Sequence, residues 1–159
     1  MAGSGTLVSE VRAKKRMGHN RFVLVDAGFN DLMRPALYGS RHRISVLAPD
    51  GSCRQGDLTE AVLAGPLCES GDVFTQRADG TVEFVQLPPV DVGDLVVFHD
   101  VGAYGASMSS NYNSRPLAAE VLVTGDDVRL IRRRQTIREL VELEEPLAGD
   151  PEQDVPSMA

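Results

Sequence analysis

The chain reads as a mainly β protein, a closed or sandwich-like β-barrel carrying one or two short helices. Three observations predict this. Turn signals recur at short intervals: Pro49-Asp50-Gly51, Gly65-Pro66, Ala78-Asp79-Gly80, Pro88-Pro89, Val92-Gly93-Asp94 and Gly125-Asp126-Asp127. The segments between them are short and rich in β-branched and apolar residues. No regular alternation of strand and helix patterns appears, so nothing calls for a parallel sheet, and closing short strands into a barrel removes their open edges.

Taken in order, Thr6-Leu7-Val8-Ser9-Glu10-Val11-Arg12-Ala13-Lys14-Lys15 alternates as a strand does, directly after Met1-Ala2-Gly3-Ser4-Gly5. A domain rarely opens so abruptly, and the expectation is a piece of something longer. Further strands are expected at residues 22–26, 42–47, 81–87, 94–99, 119–123 and 128–132. A short helix is expected within residues 30–38, with Pro35 either in its first turn or breaking it. A second is expected over residues 136–143, where Thr136 and Glu139 form the capping-box pattern. Residues 1–143 thus form the β domain, and the acidic, proline-bearing residues 144–159 are expected to be a disordered tail.

Composition excludes several function classes. The 159 residues, 42% of them hydrophobic, suffice for a compact domain without disulfide staples. With 16 basic against 23 acidic residues the net charge is -7, which argues against a nucleic-acid partner whose phosphates need neutralising. No apolar run approaches the roughly 20 residues that cross a bilayer, and the N-terminus lacks the apolar core of a secretion signal. A cytoplasmic protein with no membrane partner is expected. Cys53 and Cys68 are the two cysteines, and a reducing compartment would keep both as thiols. Cys53 reads as a structural or surface thiol. A zinc site drawn from Cys53, Cys68, His19, His42 and His99 lacks the close ligand spacing such sites show, so no metal is expected. Pairing Cys68 with His99 as a nucleophile finds no local signature either.

Three clusters remain. Leu67-Cys68-Glu69-Ser70-Gly71-Asp72 sets a thiol between two turn-forming stretches. Free cysteines are often core filler, whereas loops on rigid scaffolds carry functional residues, and the residues alone leave both readings open. The stretch from Asp100 to Pro116 follows an apolar strand and crowds small residues, hydroxyls and tyrosines, as would either a cradle for phosphate or carboxylate or a loop that satisfies itself. In the stretch from Asp26 to Tyr38, Arg34 and Tyr38 stand four residues apart, so a helix would put guanidinium and phenol on one face; an ordinary surface arginine beside a packed tyrosine fits equally. Arg132-Arg133-Arg134 reads as a solvated face or interface rim.

Together, VLVDAGFNDLMRPALYGS, AGPLCESGDVF and HDVGAYGASMSSNYNSRPLAAEVL resemble, in this order and spacing, the C-terminal domain of the diaminopimelate decarboxylases. These are pyridoxal-phosphate enzymes of the alanine-racemase-like fold type, within the ornithine/diaminopimelate/arginine decarboxylase family. The resemblance runs from about Gly3 to Leu143. It implies that a TIM barrel with the cofactor lysine precedes this domain; nothing in the chain resembles that barrel. It further implies that Cys68 reaches into a partner subunit's site and donates the proton to the carbon that carbon dioxide has left. Glu69 would bind the distal ammonium of meso-diaminopimelate, and Arg34 with Tyr38 its distal carboxylate. Tyr104 would touch cofactor phosphate and substrate. The implied protein is a homodimer with shared active sites that makes L-lysine, and the chain alone would be inactive for want of the cofactor lysine. A thiol is ordinarily protonated at neutral pH, which suits a donor. Other classes consistent with the residues are a non-catalytic ligand-binding or dimerisation barrel and a related basic-amino-acid decarboxylase, though the latter would have no evident use for Arg34.

Overall fold

The computed structural model describes residues 1–144, so the proposed tail falls outside the described residues apart from Glu144. The described residues divide into two compact units, Met1–Leu117 and a second that begins at Ala118.

In the first unit, strand β1 (Leu7–Met17) does two jobs. Its first half pairs antiparallel with β6 (Leu95–Phe98), Leu7 opposite Phe98 and Glu10 opposite Leu95. Its second half forms a hairpin with β2 (Asn20–Val25), and the register shifts between Val11 and Ala13, where the strand changes partner. Such a bulge bends a strand and increases its twist, which lets one long strand serve two faces of a curled sheet. β3 (Ile44–Leu47) extends the β6 side, and β4 (Thr59–Ala64) with β5 (Val85–Leu87) extends the β2 side, giving the order β3-β6-β1-β2-β4-β5. The sheet curls into a nearly closed barrel with β3 and β5 at its edges.

The expected strands 22–26, 42–47, 81–87 and 94–99 thus appear, most of them shortened. β4 was not anticipated. Its Ala61, Val62, Leu63 and Ala64 are all buried and lack alternation, because the strand is covered on both faces and runs parallel to β2. The interior joins side chains from every strand of the barrel, among them Val11, Val23, Val46, Leu63, Leu87 and Phe98. Phe98 and Phe74 meet at 4.5 Å between ring centroids. Asp94 is wholly buried at the start of β6, where its carboxylate accepts from Arg54 Nε at 2.9 Å, Arg54 Nη2 at 2.6 Å and the Asp91 amide at 2.8 Å.

Helix α1 (Arg34–Tyr38) is shorter than the stretch 30–38 that suggested it. Pro35 occupies its first turn, where a missing N–H costs nothing, and Gly39 ends it at φ 62° with its N–H returned to Arg34 and Pro35 carbonyls. The expected second helix is α2 (Ile137–Leu140), in the second unit, with both capping-box hydrogen bonds formed by Thr136 and Glu139. Arg133 and the Thr136 amide hold the Glu139 carboxyl down to about 2. The same unit holds the hairpin of β7 (Glu120–Thr124) and β8 (Asp127–Arg132), turned at Gly125-Asp126, with Arg132 paired to Glu120 at 2.6 Å. Two of the three arginines in the run are therefore engaged in ion pairs inside this unit. No helix among the described residues is long and apolar enough to cross a membrane.

Truncating Phe98 removes a fully buried ring and its contact with Phe74. Phe98→Ala should lower the unfolding free energy by about 3–5 kcal/mol, measured as the urea midpoint multiplied by an unchanged slope.

Candidate functional site

The three clusters converge at one end of the first unit, and backbone chemistry explains how. Just after β2 comes Asp26, whose carboxylate accepts from Ser9 Oγ at 2.6 Å and the Glu10 amide at 2.9 Å, while Ser9 Oγ accepts from the Ala27 amide at 2.8 Å. The Arg115 guanidinium donates to the Asp26 carbonyl at 2.9 Å, and the Ser110 amide to the Asn30 carbonyl at 2.8 Å. Asp72 is 3% exposed and accepts one backbone amide on each oxygen, Phe29 and Leu67, both at 2.8 Å. One buried carboxylate therefore fastens the segment leading into α1 to the cysteine loop.

On α1, the Arg34 guanidinium carbon lies 5.9 Å from the Tyr38 ring centroid and 5.6 Å from that of Tyr104. Its side-chain hydrogen bond is a long one, 3.5 Å to Ser40 Oγ. Both rings are more than half exposed. Tyr104 sits at φ 61°, and Asp100, Asn113 and Ser114 in the same loop are also left-handed. Such conformations cost of order 1–3 kcal/mol each for residues with a Cβ and concentrate where a side chain must be aimed.

Glu69 lies in the cysteine loop, with Oε1 accepting from Ser70 Oγ and the Gly71 amide, both at 3.2 Å. Its Oε2 accepts from the Tyr112 hydroxyl at 3.4 Å, and the Tyr112 ring packs on Phe29 at 4.8 Å. The Gly71 amide first, then Ser70 and Tyr112, hold the Glu69 carboxyl below the usual range. Cys68 carries an exposed free thiol, and no hydrogen bond joins it to the other candidates among the described residues. The sequence-predicted residues thus fall into one tight group, Arg34, Tyr38 and Tyr104, and one adjacent loop, Cys68 and Glu69, linked to the first group's segment through Asp72 and Tyr112.

Cys53 is likewise exposed and free, beside Leu47 in an isolated bridge. His42 Nδ1 meets the His99 carbonyl at 2.9 Å, and His99 Nε2 meets Ser45 Oγ at 2.8 Å, so both histidines serve the β3–β6 end of the barrel. Among the described residues no group of three or more His, Cys, Asp and Glu side chains converges to hold a metal.

Tyr112 and Asp72 were quoted in the motifs without a role. A tyrosine beside Asn and Ser in a loop carries no sequence signal for its partner; Asp72 does carry one, because an acid following Ser-Gly near an apolar run suits capping of nearby amides. Asn30 is 1% exposed and its carboxamide atoms have no partner among the described residues, a cost of about 1–3 kcal/mol unless water or a ligand meets them.

The residues fit part of a pyridoxal-phosphate site. An exposed tyrosine aimed by a left-handed backbone, next to a guanidinium, suits the phosphate and substrate edge of such a cofactor. The amine that would bind the cofactor's aldehyde is another matter: the chain's only lysines are Lys14 and Lys15 on β1, and Lys14 is held by the Val90 carbonyl at 2.7 Å and Asp91 at 2.9 Å.

The two loop acids should titrate in opposite directions. Burial pushes the Asp72 carboxyl above the usual aspartate range, against the pull of its two amide donors. Between the unfolded and folded values the folded chain keeps a proton the unfolded chain has lost, so this group's contribution to stability declines as pH rises through that window and is level above it. Glu69, depressed, stabilises above its unfolded value and loses that contribution as pH falls through its folded one. A carbon-13 carboxyl titration should place the Glu69 midpoint below and the Asp72 midpoint above ordinary values; the opposite order would contradict the hydrogen bonding described for Glu69 and the burial described for Asp72.

The chain is similar to proteins of one known family. The profile of the family described as pyridoxal-dependent decarboxylase, C-terminal sheet domain, matches residues 3–102. The chain is 70% identical over 141 residues to the diaminopimelate decarboxylase of Streptomyces coelicolor, covering 89% of this chain and 32% of that protein. It is 64% identical over 145 residues to that of Escherichia coli K12, covering 91% and 34%. A crystal structure of a diaminopimelate decarboxylase superposes with a TM-score of 0.87 at 64% identity, covering 90% of this chain and 34% of that one. The Helicobacter pylori enzyme in complex with L-lysine superposes with a TM-score of 0.77 at 39% identity, covering 90% and 32%. The chain spans about a third of the length of these relatives. A profile match over most of the barrel unit, together with these identities, places the chain in the family of pyridoxal-dependent decarboxylases, of which it is the C-terminal sheet domain.

Proposed function

We propose that this chain completes the active site of a cytoplasmic diaminopimelate decarboxylase, which releases carbon dioxide from meso-2,6-diaminopimelate and leaves L-lysine. The observation that carries the reading is the Arg34 guanidinium held between the Tyr38 and Tyr104 rings with most of its donors unengaged. A planar guanidinium receives a carboxylate through two parallel hydrogen bonds, and flanking rings fix its plane. Glu69, kept ionised by its amide and hydroxyl donors, is suited to the ammonium on the same distal carbon. An amino-acid head at the far end of a substrate presents both charges, so its reader needs both an acid and a base. A substrate lacking the distal carboxylate would leave Arg34 idle. The Streptomyces and Escherichia relatives, both diaminopimelate decarboxylases, support the same substrate.

Pyridoxal phosphate supplies the electron sink that lets the carboxylate carbon leave. The remaining work falls to side chains. Tyr104 contacts the phosphate edge and the substrate. Arg34 and Tyr38 of one subunit, with Glu69 of the partner subunit, orient the distal head so that the reacting carbon is held in place, a contribution that grows with the rigidity of the clamp. The Cys68 S–H bond breaks as its proton passes to the carbon vacated by carbon dioxide; the thiolate left behind regains a proton from solvent, to which it is open. The lysine comes from a TIM-barrel half of the same enzyme, and the cysteine loop serves the site of a second subunit in a homodimer.

A chimera tests this reading, with residues 3–143 of this chain replacing the matching third of the Streptomyces coelicolor enzyme. It should convert meso-diaminopimelate to lysine. Cys68→Ala in that background should keep the bound-cofactor absorbance and lose product formation by about 10²-fold or more, the usual scale for a positioned acid. Arg34→Gln should raise KM by about tenfold or more, in line with ~1.5–3 kcal/mol for a hydrogen bond to a charged group. Full turnover in the cysteine variant would remove Cys68 from the chemistry. The chain by itself, mixed with pyridoxal phosphate, should give neither a stable new absorbance band nor carbon dioxide; both together would refute the need for a second half.

A further inference from the structure

We propose that the hairpin end of the barrel is a binding site for a small multivalent oxyanion, with the Arg16 and Arg21 guanidiniums as its principal readers. The β1–β2 hairpin concentrates positive charge. Residues 12–21 include Arg12, Lys14, Lys15, Arg16 and Arg21 and no acid, in a chain whose net charge is -7.

Strand register turns that composition into a site. Residues opposite one another in an antiparallel pair share a face, as do residues two apart along a strand. Lys14 stands opposite the core residue Val23, and Arg16 opposite Arg21. Lys14, Arg16 and Arg21 therefore share the inner face of the barrel, at the end where its apolar filling stops. Thr59, two residues before the buried Ala61 of β4, belongs to the same face, and its hydroxyl accepts from Arg21 Nη1. With Lys15, the three cations border a cleft of about 390 Å³. β2 leads from Arg21 towards Asp26 at the candidate site, so roughly 17 Å of extended chain separates the two places.

The cleft offers donors and charge that its own residues do not use. Like charges directly opposite on neighbouring strands repel, yet Arg16 and Arg21 face each other in register. Arg21 Nε and Nη2 are buried and have no hydrogen-bond partner among the described residues. Those two N–H groups form the side-on fork that grips an oxyanion through parallel hydrogen bonds. Asp91 is the one acid lining the cleft, and it is shared between Lys14 at 2.9 Å and Arg54 at 3.4 Å. Four lining cations against that one acid leave a surplus of three positive charges. Such a surplus favours a dianion or trianion over a single carboxylate. An oxyanion between Arg16 and Arg21 turns their repulsion into two attractions and fastens the hairpin. At physiological salt, charges more than about 8 Å apart are largely screened, so a small ion meets the cleft alone while a long polyanion also meets the acidic remainder of the surface.

Calorimetry on the full chain at low salt, with pyrophosphate as the probe, tests the site. One pyrophosphate should bind per chain, more weakly as salt is raised. Arg16→Gln and Arg21→Gln should each weaken binding by about tenfold or more, the scale of a hydrogen bond to a charged group. Arg129→Gln, which removes the same charge from β8 in the second unit, should change it by less than about twofold, as exposed charges contribute little. No binding, an equal loss in Arg129→Gln, or acetate binding as tightly as pyrophosphate overturns the inference. Citrate separates the sources: tighter pyrophosphate assigns a phosphate-bearing ligand, tighter citrate a polycarboxylate. Melting gives a readout that a merely structural arginine would not move. Without anion, Arg16→Gln should melt no lower than the parent, because the repulsion is relieved; with saturating pyrophosphate the parent should melt higher. Absence of that reversal overturns the site, and Arg16→Gln carries the test alone if Arg21→Gln does not fold. In the chimeric holoenzyme, whose cofactor is already bound, pyrophosphate should show the same dependence on Arg16; its loss there overturns the site for the assembled enzyme.

Discussion

The end of this domain that carries the candidate site depends on a single buried carboxylate. Asp72 satisfies two backbone amides that belong to segments far apart in the chain, and without it the buried Phe29 amide would be left unpaired. Burial raises the cost of ionising it, and the two amide donors act against that cost; the outcome of this contest is a net upward shift. The glycine at position 65 belongs to the same construction, since any side chain there would occupy the carboxylate's place. The loop that carries the thiol and the acid gains order from such an anchor, because its own residues are exposed and contribute little packing.

Around this anchor the molecule divides its labour by burial. The barrel keeps its aliphatic and aromatic side chains inside and is sealed at the base of β6 by Asp94, Arg54 and the Asp91 amide. The groups able to do chemistry stand outside it: Cys68, Glu69, Arg34 and three tyrosines, all at least partly open to solvent. Their orientation comes from local backbone constraint. Tyr104 is aimed by a left-handed residue in a loop that contains three more, and Arg34 is placed at the head of a one-turn helix by the proline that follows it. The short helix offers no useful dipole or packing face; its function is to bring the guanidinium and phenol to one side.

How much was legible beforehand varies with the physics of each element. β1, with one wet face over its first half, announces itself by alternation, and the exposed β7–β8 hairpin by its Gly-Asp turn. α2 announces itself by a capping box, which is a purely local device. β4 did not, because Thr59-Glu60-Ala61-Val62-Leu63-Ala64 is buried on both faces over most of its length and its neighbour β2 is parallel, a pairing that no local pattern encodes. The site residues were readable as motifs, since CESGD, GAYG and RPALY carry their spacing with them. Tyr112 was not, because its role comes from meeting Phe29 and Glu69 across long stretches of chain.

The sequence by itself determined the chemical inventory of the domain: a β scaffold closed by short turns, a thiol beside an acid in a loop, an arginine and tyrosine one helical turn apart, and a net negative charge unsuited to nucleic acid. Those are properties of residue type and near spacing, and they survive without coordinates. Only the tertiary structure decided which of these groups meet. It set Arg34 between Tyr38 and Tyr104, bent Glu69 towards Tyr112, and gave Asp72 two amides rather than solvent. The reason is physical: a buried carboxylate is stable only where donors from separate segments converge on it, and that convergence is a product of the closed sheet and not of any stretch of chain alone.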